Sequence, residues 1–424
     1  MCSSCAREAR PNDGRVRLSC WVMWTGIEYD AMRRVVDAFN ASQNRIVVDL
    51  LSVSDIKRKT LIAIAGGDPP DVAGLETIDI PAYASKRALT PLDDHLRAAG
   101  LTRDRYIGLM WDSCVYHDRI WALPTVPNTL ALYWNKTMFA EAGLDPDRPP
   151  RTLAELDEYA EQLTRRDEQG RLVRMGFLPN RAPGPGLWVY FFGGRLWDGV
   201  SRVTTTEPAN LRAYRWYQSY ARRYGQEALQ SFQSGFGNYQ SPQNYFLAGR
   251  VGMVLDGAWL VNMMRAYAAS QFRWGVAPFP AAADSLQAVT NANADVLVIP
   301  AGVRHPAESF EFVAFVSSQP MLERLCTGMT GPTPLKTVSP AFLARHPHPN
   351  IRLFIDLTNS PRAFIAPQMP NWKEYQAELT DAVEQVWLLQ ATPEAAFAGV
   401  QARVQRSLDR ELRHEARLAA GERP

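Results

Sequence analysis

The side chains from which a reactive centre could be assembled are present but scattered. Six histidines stand at positions 95, 117, 305, 346, 348 and 414, and only His346 and His348 are close, on either side of Pro347 in what reads as a solvated loop. No H-E-x-x-H helix, no G-x-x-x-x-G-K-[ST] phosphate loop and no G-x-S-x-G nucleophile elbow occurs. Ser54-Asp55-Ile56-Lys57 has the spacing of an S-x-x-K nucleophile pair, yet the S-D-N and K-T-G that complete that machinery are missing, and the segment reads as a helix face. Asp93 and Asp94 offer two carboxyls, but neighbours on one turn do not converge on a single glycosidic bond. Cys2 and Cys5 form a C-x-x-C with no second pair at metal spacing, and Cys20, Cys114 and Cys326 read as single buried apolar groups. No catalytic residue, cofactor or metal site is assigned.

What remains is the chemistry of recognition, and the elements that would position it are legible. Residues 15–23, 45–53 and 71–75 read as strands. Between them lie an amphipathic helix around Met32, Val35, Val36 and Phe39 and a second helix over 56–65, stopped by Gly66-Gly67 and Asp68-Pro69-Pro70. That β-α-β-α-β order predicts a parallel sheet, in which ligands sit beyond the carboxyl ends of the strands. Trp24, Thr25 and Glu28 follow the first strand, and Glu76, Thr77 and Asp79 follow the third, where a plain connection would need only Gly or Asn.

Further on, Thr152 and Glu155 form a capping box after Pro149-Pro150, and 187–196 is an aromatic cluster broken by Gly193-Gly194. Residues 246–255 and 271–279 read as short helix–strand units, 296–299 as a strand and 307–316 as a helix. From Trp372 the pattern is helical. Tyr375, Leu379, Val383 and Val386 share one face, and Phe397, Val400, Val404 and Leu408 share another. No internal repeat or long linker separates a second lobe from the first, so the two must share the chain.

The 424 residues suit two or three domains, and 46% hydrophobic with 21% charged residues is ordinary for a soluble protein. Lys+Arg of 46 against Asp+Glu of 44 excludes a nucleic-acid binder working by bulk charge. No run of eighteen apolar residues occurs that could span a membrane. Twelve Trp and 15 Tyr exceed what packing needs, because an indole N–H wants a partner when buried; wet aromatic surfaces are expected. Met1-Cys2-Ser3-Ser4 and the polar residues after it read as an exported lipoprotein whose leader gave way to a start Met, with lipid on Cys2.

Seven segments in order carry a family resemblance: RALTPLDDHL (87–96), WDSCVYHDRIWALPTVPNTLALYWNK (111–136), FAEAGLDPDRPPRTLAEL (139–156), FLAGRVGMVLDGAWL (246–260), WGVAPFP (274–280), GMTGPT (328–333) and PQMPNW (367–372). Together they resemble the extracellular solute-binding proteins of ATP-driven carbohydrate importers, the group that includes maltose-binding protein. The resemblance implies an α/β, two-lobed periplasmic-binding-protein fold of type II-like form, with discontinuous lobes joined by hinge strands. A flexible tail over 1–14 would precede lobe 1 at 15–126 and 278–326, and lobe 2 at 127–277 and 327–424 would end in the C-terminal helices. Pro124-Thr125-Val126-Pro127 and Ala277-Pro278-Phe279-Pro280 would be the hinge strands.

The same resemblance implies a monomeric receptor without catalysis that captures a carbohydrate and hands it to membrane permease subunits of an ABC importer. Trp24, Glu28, Glu76, Thr77 and Asn128 would line its cleft, Asn128 where some relatives carry an acid. Trp259, in Asp256-Gly257-Ala258-Trp259, matches the family's stacking tryptophan, with Trp188 and Trp372 as further stacking rings and Arg362 directed at hydroxyls. Indole faces cover the C–H patches of a sugar, while planar polar side chains take two adjacent hydroxyls at once. The alternatives are a carbohydrate-active enzyme with an aromatic cleft, or a binder of a non-sugar solute such as a glycerol-phosphate or a polyamine.

Overall fold

Alternating burial along Val16–Val22 lays one face of that strand on the core, and it pairs in parallel with Ile46–Ser52, Val16 opposite Ile46 through Val22 opposite Ser52. Val72–Glu76 lies on its other side, also parallel. The helix Gly26–Ser42 covers this sheet with Ala31, Met32, Val35, Val36 and Phe39, and Ile56–Ala65 is the second crossover. This computed structural model describes residues 14–184 and 186–419, so Cys2, Cys5 and the expected tail lie outside the described residues.

The sheet does not stay parallel. Ala294–Val298 joins Val72–Glu76 antiparallel, and Ala122–Pro127 joins Ala294–Val298 antiparallel, closing a five-stranded mixed sheet. Only Ala294–Val298 runs the other way, because the chain leaves this sheet after Ala122–Pro127 and re-enters it from a second one. That second sheet has the order Trp274–Ala277, Leu130–Asn135, Val251–Gly257, Leu172–Phe177, Arg165–Arg166. The chain crosses between Pro127 and Leu130 and comes back between Ala277 and Ala294. Phe279 packs its ring on Phe177, Trp188 and Phe191 of the second half. Leu130 N–H donates to Thr290 Oγ1 (3.1 Å), whose hydroxyl donates back to the Leu130 carbonyl (2.8 Å).

Helices Trp372–Trp387 and Pro393–Ala419 pack on each other and on Pro208–Tyr224. Both stripes read from the sequence, Tyr375 to Val386 and Phe397 to Leu408, are buried. Three local expectations need correction. Turns rather than helices precede the strands Val251–Gly257 and Trp274–Ala277. Thr152 Oγ1 accepts the Glu155 N–H (3.1 Å), but the Glu155 carboxylate reaches back to Arg151 N–H (2.7 Å) instead of closing the box on Thr152. His346 and His348 are buried rather than solvated. Cys20, Cys114 and Cys326 are buried free thiols.

The helix Leu153–Leu163 lies so close on the strand Leu172–Phe177 that a Cβ on Gly176 would stand 2.2 Å from the Ala160 carbonyl oxygen and 2.3 Å from its Cα. Neither backbone atom can swing aside, so Gly176→Ala is expected to lower stability by about 1–3 kcal/mol. In urea titrations the midpoint should fall with an unchanged slope; an unmoved midpoint would refute this packing.

Candidate ligand-binding site

A cavity of ≈ 480 Å³ lies between the ends of the two sheets. On the first-sheet side three carboxyls face it. Glu28 comes from the first turn of Gly26–Ser42, Glu76 from the end of its strand, and Asp295 from the neighbouring strand, directly opposite Glu76 in the register. Burial, then repulsion from Glu76 and Glu28, pushes Asp295 well above the usual carboxylate range, against a hydrogen bond from the Trp24 side chain. Burial likewise raises Glu28. Lys57 Nζ lies 2.5 Å from Glu76 Oε2 and 3.0 Å from Asp79 Oδ2. Burial pulls its pKa down, but the two carboxylates outweigh burial and hold it above the ordinary lysine value.

On the second-sheet side the ring of Trp259 is fixed by its own motif. The indole lies across Gly257, where a Cβ would meet the ring at 2.1 Å, so position 257 admits only glycine. Trp259 Nε1–H donates to Tyr239 Oη (3.1 Å), and Tyr239 donates to both carboxylate oxygens of Asp256 (3.0 and 2.9 Å). Asp256 also accepts the Gly257 N–H (2.8 Å). His348 Nδ1 accepts the Asn350 N–H (2.9 Å), which leaves the proton on Nε2 to meet Tyr133 Oη (2.9 Å). Tyr133 in turn donates to the Gly257 carbonyl (3.0 Å). Burial lowers His348 to about 3, so it holds this tautomer uncharged.

At the crossing between the sheets, Asn128, Asn291 and Asn293 form a polar seam along the cavity. Asn128 N–H donates to the Asn293 carbonyl (2.6 Å), Asn291 Nδ2 to the Asn128 carbonyl (3.1 Å), and Asn293 Nδ2 to Asn291 Oδ1 (2.9 Å). Tyr190 and Phe364 stack face to face at 3.8 Å and add an aromatic wall.

Of the residues expected from the sequence, Trp24, Glu28, Glu76, Asn128, Trp259 and Trp372 line this cavity, and four do not. Thr77 is fully buried, with Oγ1 accepting the Ala294 N–H (3.1 Å). Asp256 sits behind Tyr239 and Trp259 and acts through them. Trp188 is packed among Phe177, Phe191, Trp216 and Phe279, its Nε1–H on the Pro179 carbonyl (3.2 Å). On the short helix Trp188–Phe191, Trp188 faces the core and Tyr190, two residues on, faces the cavity. Arg362 is exposed in the turn before Ala363–Phe364 and outside the lining. Sequence reasoning missed Tyr190, Tyr239, Asn291, Asn293, Asp295 and Phe364. For three of these a signal existed: N-A-N-A-D over 291–295 alternates polar and small residues with the period of a strand.

A sequence model of the family described as bacterial extracellular solute-binding protein matches residues 24–321. A relative named sn-glycerol-3-phosphate-binding periplasmic protein UgpB, from Pectobacterium atrosepticum, is 21% identical over 411 residues, covering 88% of both chains. The solved structure of CpMnBP1 with mannobiose bound is 25% identical, with a TM-score of 0.82 over 92% of this chain and 99% of that one. The structure of UgpB from Mycobacterium tuberculosis in complex with glycerophosphocholine is 21% identical, with a TM-score of 0.73 over 94% and 100%.

Burial raises Asp256 to about 7 against the hydrogen bonds from Gly257, Tyr239 and Trp259 that favour its charge. The folded protein therefore keeps a proton there that the unfolded chain has released, and stability must fall as pH rises from the ordinary aspartate range toward 7. Within that window this one group contributes a slope on the order of 1.4 kcal/mol per pH unit. Asp256→Asn cannot ionise and retains the acceptor for Tyr239, so its denaturation midpoint between pH 4 and 7 should decline less than that of the native protein. Parallel profiles for the two proteins would disprove the assignment.

Proposed function

We propose that this chain, which belongs to the bacterial extracellular solute-binding proteins, is the receptor of an ATP-driven importer and that its ligand is an uncharged sugar. The observation that carries the reading is the charge of the cavity. Among the described residues its lining holds three carboxyls and no lysine, arginine or histidine, beside the rings of Trp24, Tyr190, Tyr239, Trp259, Phe364 and Trp372. A phosphate brought among these acids would meet repulsion with no cation in contact to offset it, and that argues against the glycerol-phosphate ligand in the name of one relative. A sugar suits the same groups. Its C–H faces lie on the rings, the carboxyls and the asparagine seam accept its hydroxyl protons, and Asp295, which holds its proton more tightly than an ordinary carboxyl, can donate. The relative whose solved structure has mannobiose bound supports a saccharide of similar size.

In this reading the lobes are 15–126 with 278–326 and 127–277 with 327–424, and they close because the ligand binds the closed form better than the open one. The closed surface is what the permease subunits read. The receptor acts as an exported monomer, held at the membrane by lipid on Cys2.

The test is thermal unfolding against a panel of mono- and oligosaccharides, with sn-glycerol 3-phosphate and spermidine as the charged competitors. A ligand at a hundredfold its Kd stabilises the fold by about 2.7 kcal/mol, a readily measured shift in Tm. Sugars should raise Tm and the charged solutes should not; the reverse result sinks the reading. Trp259→Ala should lower affinity for the active sugar at least tenfold with a native-like circular dichroism spectrum, because the ring is partly exposed and its loss opens no closed core.

A further inference from the structure

The hydrogen bonds behind Trp259 run in one direction only. An indole N–H donates and never accepts, so the bond from Trp259 Nε1 to Tyr239 Oη (3.1 Å) has a fixed sense. Tyr239 has a single proton. With Oη already accepting from Trp259, that proton turns to Asp256, whose two oxygens lie at 3.0 and 2.9 Å. While Asp256 is ionised the chain from indole through phenol to carboxylate is complete, and it ends on a ring of the cavity wall.

A proton on Asp256 breaks this chain. Oδ1 already accepts the Gly257 N–H (2.8 Å), which leaves Oδ2 to carry the proton, 2.9 Å from Tyr239 Oη. Two O–H groups then point into one gap. If Tyr239 accepts from the acid, its own proton swings toward Trp259 and displaces the indole N–H. If it does not, the acid proton goes unmet in a residue only 6% exposed. Either way one hydrogen bond is lost.

The neighbours of Asp256 leave this titration to Asp256 itself. Tyr133 comes from Leu130–Asn135, and Tyr239 and Tyr245 from the turn-rich segment 238–249; burial pushes all three phenols further above their ordinary value. The strand Leu172–Phe177 pairs through Met175 and Phe177, which carry no charge. His348, behind Tyr133, is neutral, and Arg181 lies beyond Tyr245, 5.2 Å from its ring centroid. Among the described residues no ion pair reaches Asp256, and burial raises it to about 7. Glu28, Glu76 and Asp295 face the same cavity from the first sheet.

We propose that Asp256 is a positioning residue whose ionised form fixes the Trp259 ring, so that a sugar stacking on that ring expels the proton from Asp256 and is held more tightly as pH rises. This rests on the sugar-receptor reading and adds a regulation of the same site. Asp256 is already buried before the cavity fills, so a ligand adds little desolvation to oppose the release. The expected coupling is one hydrogen bond, which corresponds to about fivefold in affinity.

Mannobiose, mannose, glucose, galactose and xylose are first ranked by their shift in Tm, and the strongest is titrated by calorimetry. Runs at pH 6.5 in phosphate and in imidazole, whose heats of ionisation differ, count the protons exchanged. The native protein should release about a third of a proton per sugar and bind about fivefold more weakly at pH 5.5 than at pH 8.5. Asp256→Asn cannot ionise, and Tyr239→Phe cuts the chain between acid and indole. Each should release no proton and show an affinity that is flat with pH; a merely structural role would lower affinity without changing the proton count. If the native protein releases no proton or takes one up, the proposal fails while the receptor reading stands. It fails equally if Asp256→Asn keeps the native release, because Glu28 or Asp295 is then the source. If no sugar in the panel moves Tm, the receptor reading itself falls and this inference falls with it.

Discussion

Where the chain leaves one sheet for the other, its backbone has no ladder to pair with, and every amide there must find a partner elsewhere or remain buried and unmet. That constraint shapes the floor of the cleft. Asn128 and Asn293 pair through their main chains, Asn291 and Asn293 add their side chains, and Asn293 Oδ1 accepts the Ala366 N–H at 2.9 Å from a third strand of chain. One residue further, Thr129 and Thr358 share a 2.6 Å hydroxyl bond. Three passes of chain are thus sewn side by side, with side-chain amides supplying what the sheets cannot. Apolar residues could not do this, and the same amides give the cavity a polar seam. A crossing that must be satisfied for folding is thereby already furnished for recognition.

The carboxyl trio poses the opposite problem. Glu28, Glu76 and Asp295 approach one another in a place where burial already disfavours charge, and only Glu76 has a cation beside it. The protein handles this by dividing the roles. Lys57 pairs with Glu76, while burial and the neighbouring acids hold Asp295 well above the usual carboxylate range. A site with one ion-paired carboxyl and one acid that holds its proton more tightly than usual, next to a tryptophan, is disposed toward a ligand that both donates and accepts, as hydroxyls do.

Much of the fold was legible because its signals are local. Burial stripes such as Met32 to Phe39 or Phe397 to Leu408 follow from helical period alone. Strand direction was not, because Ala294–Val298 enters antiparallel to both its neighbours after a crossing that depends on residues more than a hundred positions apart. In the site, Trp24, Glu28 and Glu76 were readable from strand ends. Trp188 was not separable from Tyr190: both lie in one aromatic run, and only the phase of a four-residue helix decides which ring meets the cavity. Asp256 was found for its motif, but its part is to hold Tyr239 and thereby Trp259. No spacing rule links 239 to 256, since the contact passes through a turn-rich segment.

The two halves also touch away from the cleft, and this sets the size of the task left to a ligand. The long helix Pro393–Ala419 packs against Trp372–Trp387 and extends until Glu415 meets the hairpin beside the first sheet. There Tyr116 Oη donates to the Glu415 carboxylate at 2.5 Å, and His117 Nε2 lies 3.4 Å from its other oxygen. A contact of this kind ties the terminal helix to the first half whether or not the cavity is filled. Ligand capture then has part of its work already done, because the terminal helix supplies part of the hold between the halves. A receptor so arranged need not spend its binding energy on drawing two free lobes together, and can direct it to telling one polyol from another.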